Sequence, residues 1–156
     1  MGAKRKLRKH LSQLFDWSDA HADFDAAVAK LPAKYRGQVP AGLPYSLWQL
    51  LEHLRLAQRD ILDYCTAAKY EKKEWPGDYW PKDPAPPSAK AWDTSVKAFK
   101  KDRKAFQKMI DTVDLFDEVP HGEQTYLREV LLAADHNAYH IAQLIYARRL
   151  LGAWKE

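Results

Sequence analysis

The strongest constraint on the fold lies in the last part of the chain, where apolar residues recur every three or four positions from Tyr126 to Leu150. This is the spacing of one face of an α-helix, and no proline or glycine interrupts it. Within the stretch, His136 and His140 are four residues apart, so both side chains leave the same helix face one turn apart. The sequence thus predicts a long helix that presents two imidazoles beside a surface that must be buried.

Two earlier stretches repeat the helical spacing. Residues 7–31 are predicted to form one long amphipathic helix, because apolar side chains recur at three and four and Pro32 stops the pattern. A second helix is predicted to start at Ser46, which fits a capping box with Gln49. Its apolar stripe continues to Cys65, which we interpret as a small buried apolar residue rather than a reactive thiol.

The third predicted helix begins at Ser88, and the fourth is capped by Thr125 and closed by Gly152. Asp102 and Arg103 interrupt the apolar stripe of the third helix, so either a charge points inward near the site or both extend to water, and extension to water is the favoured interpretation. No strand pattern, repeat or domain linker is visible. The chain is therefore predicted to be one all-α domain over residues 1–156, a four-helix bundle.

A proline-rich stretch separates the second and third helices. Residues 75–87 contain five prolines and can form neither a helix nor a central strand. A connection of this length lets the third helix run parallel to the second. Its aromatic residues either pack over the bundle or form a mobile lid over a substrate, and packing is the favoured interpretation; they are Trp75, Tyr79 and Trp80.

Composition narrows the class of protein. The chain is 46% hydrophobic and 29% charged, and no apolar run approaches the roughly 20 residues that span a bilayer. The basic start lacks the apolar core of a secretory signal, so a cytoplasmic protein is expected. The net charge of +4 is mildly basic, but the lysines of the third helix form a solvated face, so nucleic acid is not an expected partner. A single cysteine excludes disulfide frameworks and cysteine zinc sites.

His53 stands at the margin of the second helix's apolar stripe and offers a third imidazole. Bundles build metal sites from side chains on facing helices, and three neutral imidazoles suit zinc, nickel, iron or copper. Three protein ligands leave at least one position for water or substrate, as in catalytic sites. The alternative is three separately hydrogen-bonded histidines. The remaining histidines are interpreted as structural or surface residues; they are His10, His21 and His121.

Residues 47–54, which include Glu52 and His53, and residues 134–144, which include His136 and His140, resemble the DinB/YfiT-like family. The resemblance extends over nearly the whole chain, although many relatives have glycine at the position of Ala142. It implies an up-down-down-up four-helix bundle with a long crossover between helices 2 and 3. It also implies that the three histidines bind one divalent transition metal: zinc, nickel, iron or manganese. A homodimer is a further expectation.

The family includes S-transferases that use low-molecular-weight thiols and members regarded as metal-dependent hydrolases. The resemblance therefore implies a metal-dependent enzyme for a small-molecule substrate, with a hydrolase or a non-catalytic metal-binding stress or interaction protein as alternatives. A hydrolase also needs a general base. Glu52 points about 100° away from His53 on a helix, and Glu129 lies two turns before His136. Because neither is a convincing base, thiol transfer ranks above hydrolysis.

Overall fold

The computed structural model describes residues 2–154, and the chain is all-α over that range, as predicted. The helices are α1 (Gly2–Gln13), α2 (Phe24–Val28), α3 (Leu47–Thr66), α4 (Ala91–Thr112) and α5 (Tyr126–Leu150). Single 3₁₀ turns occur at Ala33–Tyr35 and Gly77–Tyr79. None of the helices in the described range is both long and apolar enough to cross a membrane.

The first predicted helix is wrong as a single element. Residues 7–31 contain the end of α1, an irregular segment and the short α2. Asp23 starts α2 anew, because its carboxylate accepts the backbone N–H of Ala26 at 2.8 Å. Phe15 and Phe24 are nevertheless both buried. Of the apolar residues at this spacing, Leu11, Phe24, Val28 and Leu31 are buried, whereas Leu7 is 37% exposed. The spacing thus indicated most of the core-facing residues, but it did not reveal the break between them.

The predicted starts of the later helices have different outcomes. Ser46 and Gln49 form both bonds of the capping box, and the Thr125 hydroxyl accepts a backbone N–H at 3.3 Å, so these two starts are confirmed. Gly152, with φ of 65°, follows the end of α5 as predicted. The start at Ser88 is wrong: its backbone carbonyl accepts the N–H of Ala91 in a turn, and α4 begins only after that turn.

Two buried clusters hold the helices together. One joins the first halves of α3 and α4 to the second half of α5, and it includes Leu50, Phe99 and Leu144. The other joins the second halves of α3 and α4 to the first half of α5 and includes Phe106 and Val130. These contacts are the ones expected if α3 and α4 run in the same direction. The full up-down-down-up order stays a prediction.

The two charges that interrupt the stripe of α4 are buried. Asp102 pairs with Arg59 of α3 at 3.2 Å, and Arg103 pairs with Asp25 of α2 at 3.2 Å. Each therefore points inward and is compensated by a neighbouring helix, so the favoured interpretation, that both extend to water, is wrong. Cys65 is also buried, and burial raises the pKa of its thiol to about 12, so its prediction as an inert core residue is confirmed.

Candidate metal centre

The structure brings together the three histidines that the sequence singled out. His53 comes from α3, and His136 and His140 come from successive turns of α5. The Nε2 atom of His53 lies 3.0 Å from Nε2 of His140 and 3.1 Å from Nε2 of His136. His53 and His140 are buried and His136 is partly buried. Three ring nitrogens thus converge on one point between two helices.

Hydrogen bonds on the far side of two rings set their tautomers. Nδ1 of His53 lies 3.0 Å from the backbone carbonyl of Tyr79, and Nδ1 of His140 lies 2.8 Å from the side-chain oxygen of Gln143. Carbonyl oxygens only accept hydrogen bonds, so both Nδ1 atoms carry the proton. In a neutral ring Nε2 is then an acceptor. The short contact between these two Nε2 atoms therefore has no hydrogen to share.

Burial also keeps the three rings neutral. It lowers the pKa of His53 to about 4, with the nearby His140 adding to the effect and the Tyr79 carbonyl opposing it. It lowers the pKa of His136 to about 3, and the two neighbouring imidazoles add to this. The pKa of His140 is lowered by burial as well. No imidazolium is thus present near neutral pH to donate a proton across the cluster.

This donor set fits a divalent transition metal. Zinc–nitrogen bonds of about 2.0–2.1 Å place two tetrahedral ligand atoms about 3.3 Å apart. The observed separations of 3.0 and 3.1 Å are close to that value. A cation would turn facing lone pairs, which repel one another, into ligands. Nδ1 of His136 is buried without a hydrogen-bond partner, so the triad has two anchored rings and one that is held by packing.

Aromatic residues of the segment between α3 and α4 pack over the site. The indole of Trp80 stacks on the ring of His53, with centroids 3.8 Å apart and planes 6° from parallel. Tyr45 stacks on Trp80 at 3.8 Å. Trp75 approaches His53 edge-on at 6.2 Å but stays 71% exposed. Trp80 therefore shields His53 from solvent, while Trp75 lies at the surface.

A buried carboxylate fixes this segment to α3. Asp60 accepts the hydroxyl of Tyr79 at 2.6 Å and that of Tyr70 at 3.3 Å, and Lys73 lies 3.9 Å away. Since the backbone of Tyr79 holds His53, Asp60 supports the triad indirectly. Sequence reasoning missed the contact between His53 and Tyr79, because every residue has a backbone carbonyl and the residue type therefore does not reveal such a bond.

Gln143 was also missed, although a signal for it existed. It follows His140 by three residues, and side chains at that spacing meet on a helix surface. An acceptor placed so is the usual partner for the second nitrogen of a metal-binding imidazole. The partner of His140 could thus be predicted from the sequence, whereas the partner of His53 could not.

The two carboxylates considered as general bases are engaged elsewhere. Glu52 forms two hydrogen bonds of 2.8 Å with Arg55. Glu129 is buried and bonds to Arg128 at 2.7 Å. Each carboxylate is thus paired with an arginine of its own helix. These pairings do not favour Glu52 or Glu129 as the general base.

The other three histidines do not belong to the triad. His10 contacts Gln13 at 3.2 Å, and His21 is exposed with Nδ1 3.1 Å from its neighbour's carbonyl. His121 bonds to the carbonyl of Ala67 at 2.7 Å, beyond the end of α3. Their interpretation as structural or surface residues agrees with these positions.

Most of the chain matches a known protein family. A family model described as the DinB superfamily matches residues 16–144, a range that includes all three histidines of the triad. Neither the curated proteins nor the solved structures include a significant match to the sequence. Because the matched range covers most of the chain, the protein belongs to the DinB superfamily.

Proposed function

We propose that this protein binds one divalent transition metal through Nε2 of His53, His136 and His140, and that it is a metal-dependent enzyme that activates a small thiol. The observation that carries the metal site is the close approach of Nε2 atoms in rings whose protons lie on Nδ1. Separately satisfied histidines would avoid such a contact, because each Nε2 acceptor would face a donor. Zinc, nickel, iron and manganese are the candidates.

The chemistry proposed for the site follows from the number of its ligands. A metal with three protein ligands keeps a position for an exogenous group and lowers the pKa of a thiol or water bound there. The protein contributes orientation and shielding. Tyr79 and Gln143 hold two of the rings, and Trp80 excludes water from the face of His53 on which it stacks.

Thiol activation is favoured over hydrolysis by the state of the carboxylates. Hydrolysis is helped by a base that removes a proton from water, and Glu52 and Glu129 are both held in ion pairs. A thiol has a lower pKa than water and needs less help. A cytoplasmic location would suit this chemistry, because thiols are kept reduced there. A metal-dependent hydrolase and a non-catalytic metal-binding stress or interaction protein remain the alternatives.

The metal site is tested by metal analysis of protein prepared without a histidine tag. Loading with each metal in turn is expected to give about one ion per chain for the parent, in line with a single three-ligand site. His53→Gln and His140→Gln should lose it, whereas the matched control His121→Gln should retain it. If both triad variants bind as much metal as the parent, the site lies elsewhere.

Thiol activation has a separate test. Cobalt-loaded protein is titrated with cysteine, glutathione and other small thiols, and a thiolate-to-cobalt charge-transfer band is expected with at least one of them. A protein that binds cobalt through the triad but never develops this band would support the non-catalytic alternative or the hydrolase.

A further inference from the structure

A cavity of about 390 Å³ lies beside the triad, between α5, the start of α3 and the loop that precedes it. Its volume falls in the range of small-molecule sites, about 300–1,000 Å³. Eight residues line it: Leu43, Pro44, Tyr45, Leu50, Tyr139, Ala142, Gln143 and Tyr146. The triad imidazoles are not among them, so the cavity adjoins the site and does not contain it.

Two of the lining residues contact the triad directly, and a third contacts it through Trp80. The side-chain oxygen of Gln143 accepts the Nδ1 proton of His140. The ring of Tyr139 meets the ring of His140 edge-on at 4.9 Å. Tyr45 stacks on Trp80, which itself stacks on His53. A molecule in the cavity would therefore lie beside His140, whereas Tyr45 and Trp80 would separate it from His53.

The lining carries no charged side chain. Its polar side-chain groups are the amide of Gln143, whose oxygen is already bonded to His140, and three tyrosine hydroxyls. The cavity is open to solvent along Tyr139 and Tyr146, which are exposed. A carboxylate or ammonium held against its lining would lose part of its hydration without gaining an opposite charge, which is unfavourable. An uncharged apolar or aromatic group would instead gain contact with the leucine, proline and tyrosine side chains.

The uncharged lining of the cavity suits one reactant of a thiol transfer, the electrophile, better than the other, the thiol. Small biological thiols commonly carry amino, carboxyl or sugar groups, which the cavity does not match. We propose that the cavity binds the uncharged apolar or aromatic part of the electrophile, an inference that rests on the proposed thiol-activating function. In the transfer, the sulfur forms a bond to the electrophilic carbon while the bond to the leaving group breaks. The leaving group departs with the electron pair, and the thiol proton passes to solvent.

The binding test uses two probes with the same rings, 1-naphthol and 1-naphthoate, with the full chain in metal-free and zinc-loaded forms. Equilibrium dialysis of the metal-free form is expected to show 1-naphthol binding about tenfold or more tighter than the carboxylate, because the cavity offers the charge no partner. Equal affinities for the two probes would overturn the proposal.

Variants locate the bound probe. Ala142 is exposed and lines the cavity, so Ala142→Trp should fill the space and weaken 1-naphthol binding about tenfold. Ala138→Trp is the matched control, since Ala138 is also exposed on α5 but does not line this cavity. Tyr146→Ser is a second variant that should weaken binding by removing a wall. Binding that none of these changes alters would place the probe elsewhere and overturn the proposal.

Metal content distinguishes this inference from the proposed function. Ala142→Trp should leave metal content unchanged, because Ala142 is exposed and takes no part in the hydrogen bonds that orient the triad nitrogens, which are to Tyr79 and Gln143. If metal binds and 1-naphthol does not, the cavity assignment fails and the metal site stands. If 1-naphthol binds in the cavity and the triad takes no metal, the proposed function fails, and with it the role of the cavity as an electrophile site.

Discussion

Nδ1 of His53 donates its proton to the backbone carbonyl of Tyr79 across 3.0 Å, so a residue outside the long helices sets the tautomer of a central imidazole. The hydroxyl of the same tyrosine is held by the buried carboxylate of Asp60 at 2.6 Å. The carbonyl and the hydroxyl of Tyr79 thus bind two side chains of α3, His53 and Asp60, to the crossover segment. Anything that releases Tyr79 frees the ring of His53 to turn.

The first prediction is that Tyr79→Phe weakens metal binding without abolishing it. Loss of the bond to Asp60 loosens the segment whose carbonyl orients His53, and such outer contacts are typically worth about 10- to 100-fold in metal affinity. Competition with a chromophoric chelator measures the change. Tyr70→Phe is the matched control, because Tyr70 also bonds to Asp60 but does not contact His53. Equal losses in the two variants would mean that the effect is general destabilisation.

The second prediction concerns Gln143, the partner of His140. Gln143→Leu removes the acceptor for Nδ1 and should lower metal affinity by about 10- to 100-fold. Gln143→Glu keeps an acceptor oxygen at the same place and should restore most of the affinity. If the leucine and glutamate variants bind metal equally weakly, the hydrogen bond is not what matters at this position.

The spacing of apolar residues predicts some parts of this structure and not others. In α5, apolar spacing and helix coincide, so the positions of His136 and His140 follow directly. Between Phe15 and Phe24 the chain passes through an irregular segment that contains the exposed Trp17, so the helical spacing on either side of it did not show the backbone path. The Tyr79 carbonyl is part of the site only through tertiary folding. No residue pattern could have predicted it.

The third prediction is an asymmetry in the pair formed by Arg103 and Asp25. Arg103 is 7% exposed, whereas the side chain of Asp25 is 44% exposed and also contacts Lys100. Asp25→Ala leaves a buried guanidinium without its carboxylate and should cost about 2–3 kcal/mol of unfolding free energy. Arg103→Met leaves only a half-exposed carboxylate and should cost about 1 kcal/mol.

Urea unfolding of both variants measures this asymmetry, and metal and thiol binding serve as the control. A structural pair leaves both kinds of binding intact. If Arg103→Met instead weakens thiol binding while stability is unchanged, Arg103 recognises the substrate and the pair with Asp25 is incidental.

The fourth prediction is a pH effect from the same carboxyl. Burial raises the pKa of Asp25, but Lys100 and Arg103 together lower it more, so the net value lies below the ordinary 3.8. A carboxyl with a lowered folded pKa stabilises the fold above its unfolded pKa, and this contribution is lost as the pH falls through the folded pKa. The gap in unfolding free energy between the parent and Asp25→Asn should therefore hold above about pH 5 and shrink as the pH falls from there through the folded pKa, which lies below 3.8. A gap that stays constant over this range would contradict the role assigned to the ion pairs.

The last prediction is that the protein forms a homodimer. The first half of α5 leaves Leu131 and Leu132 at the surface, 46% and 37% exposed, away from the residues that line the cavity. The two side chains point about 100° apart on the helix, and each favours contact with a second apolar surface. Two-fold contacts between identical chains are the commonest kind. Light scattering across the micromolar range should give the dimer mass for the parent, and Leu132→Lys should shift it toward the monomer because it buries a charge at the contact. Leu150→Lys, at the opposite end of the same helix, is the control that should stay dimeric, and a monomer mass for the parent at every concentration would rule the dimer out.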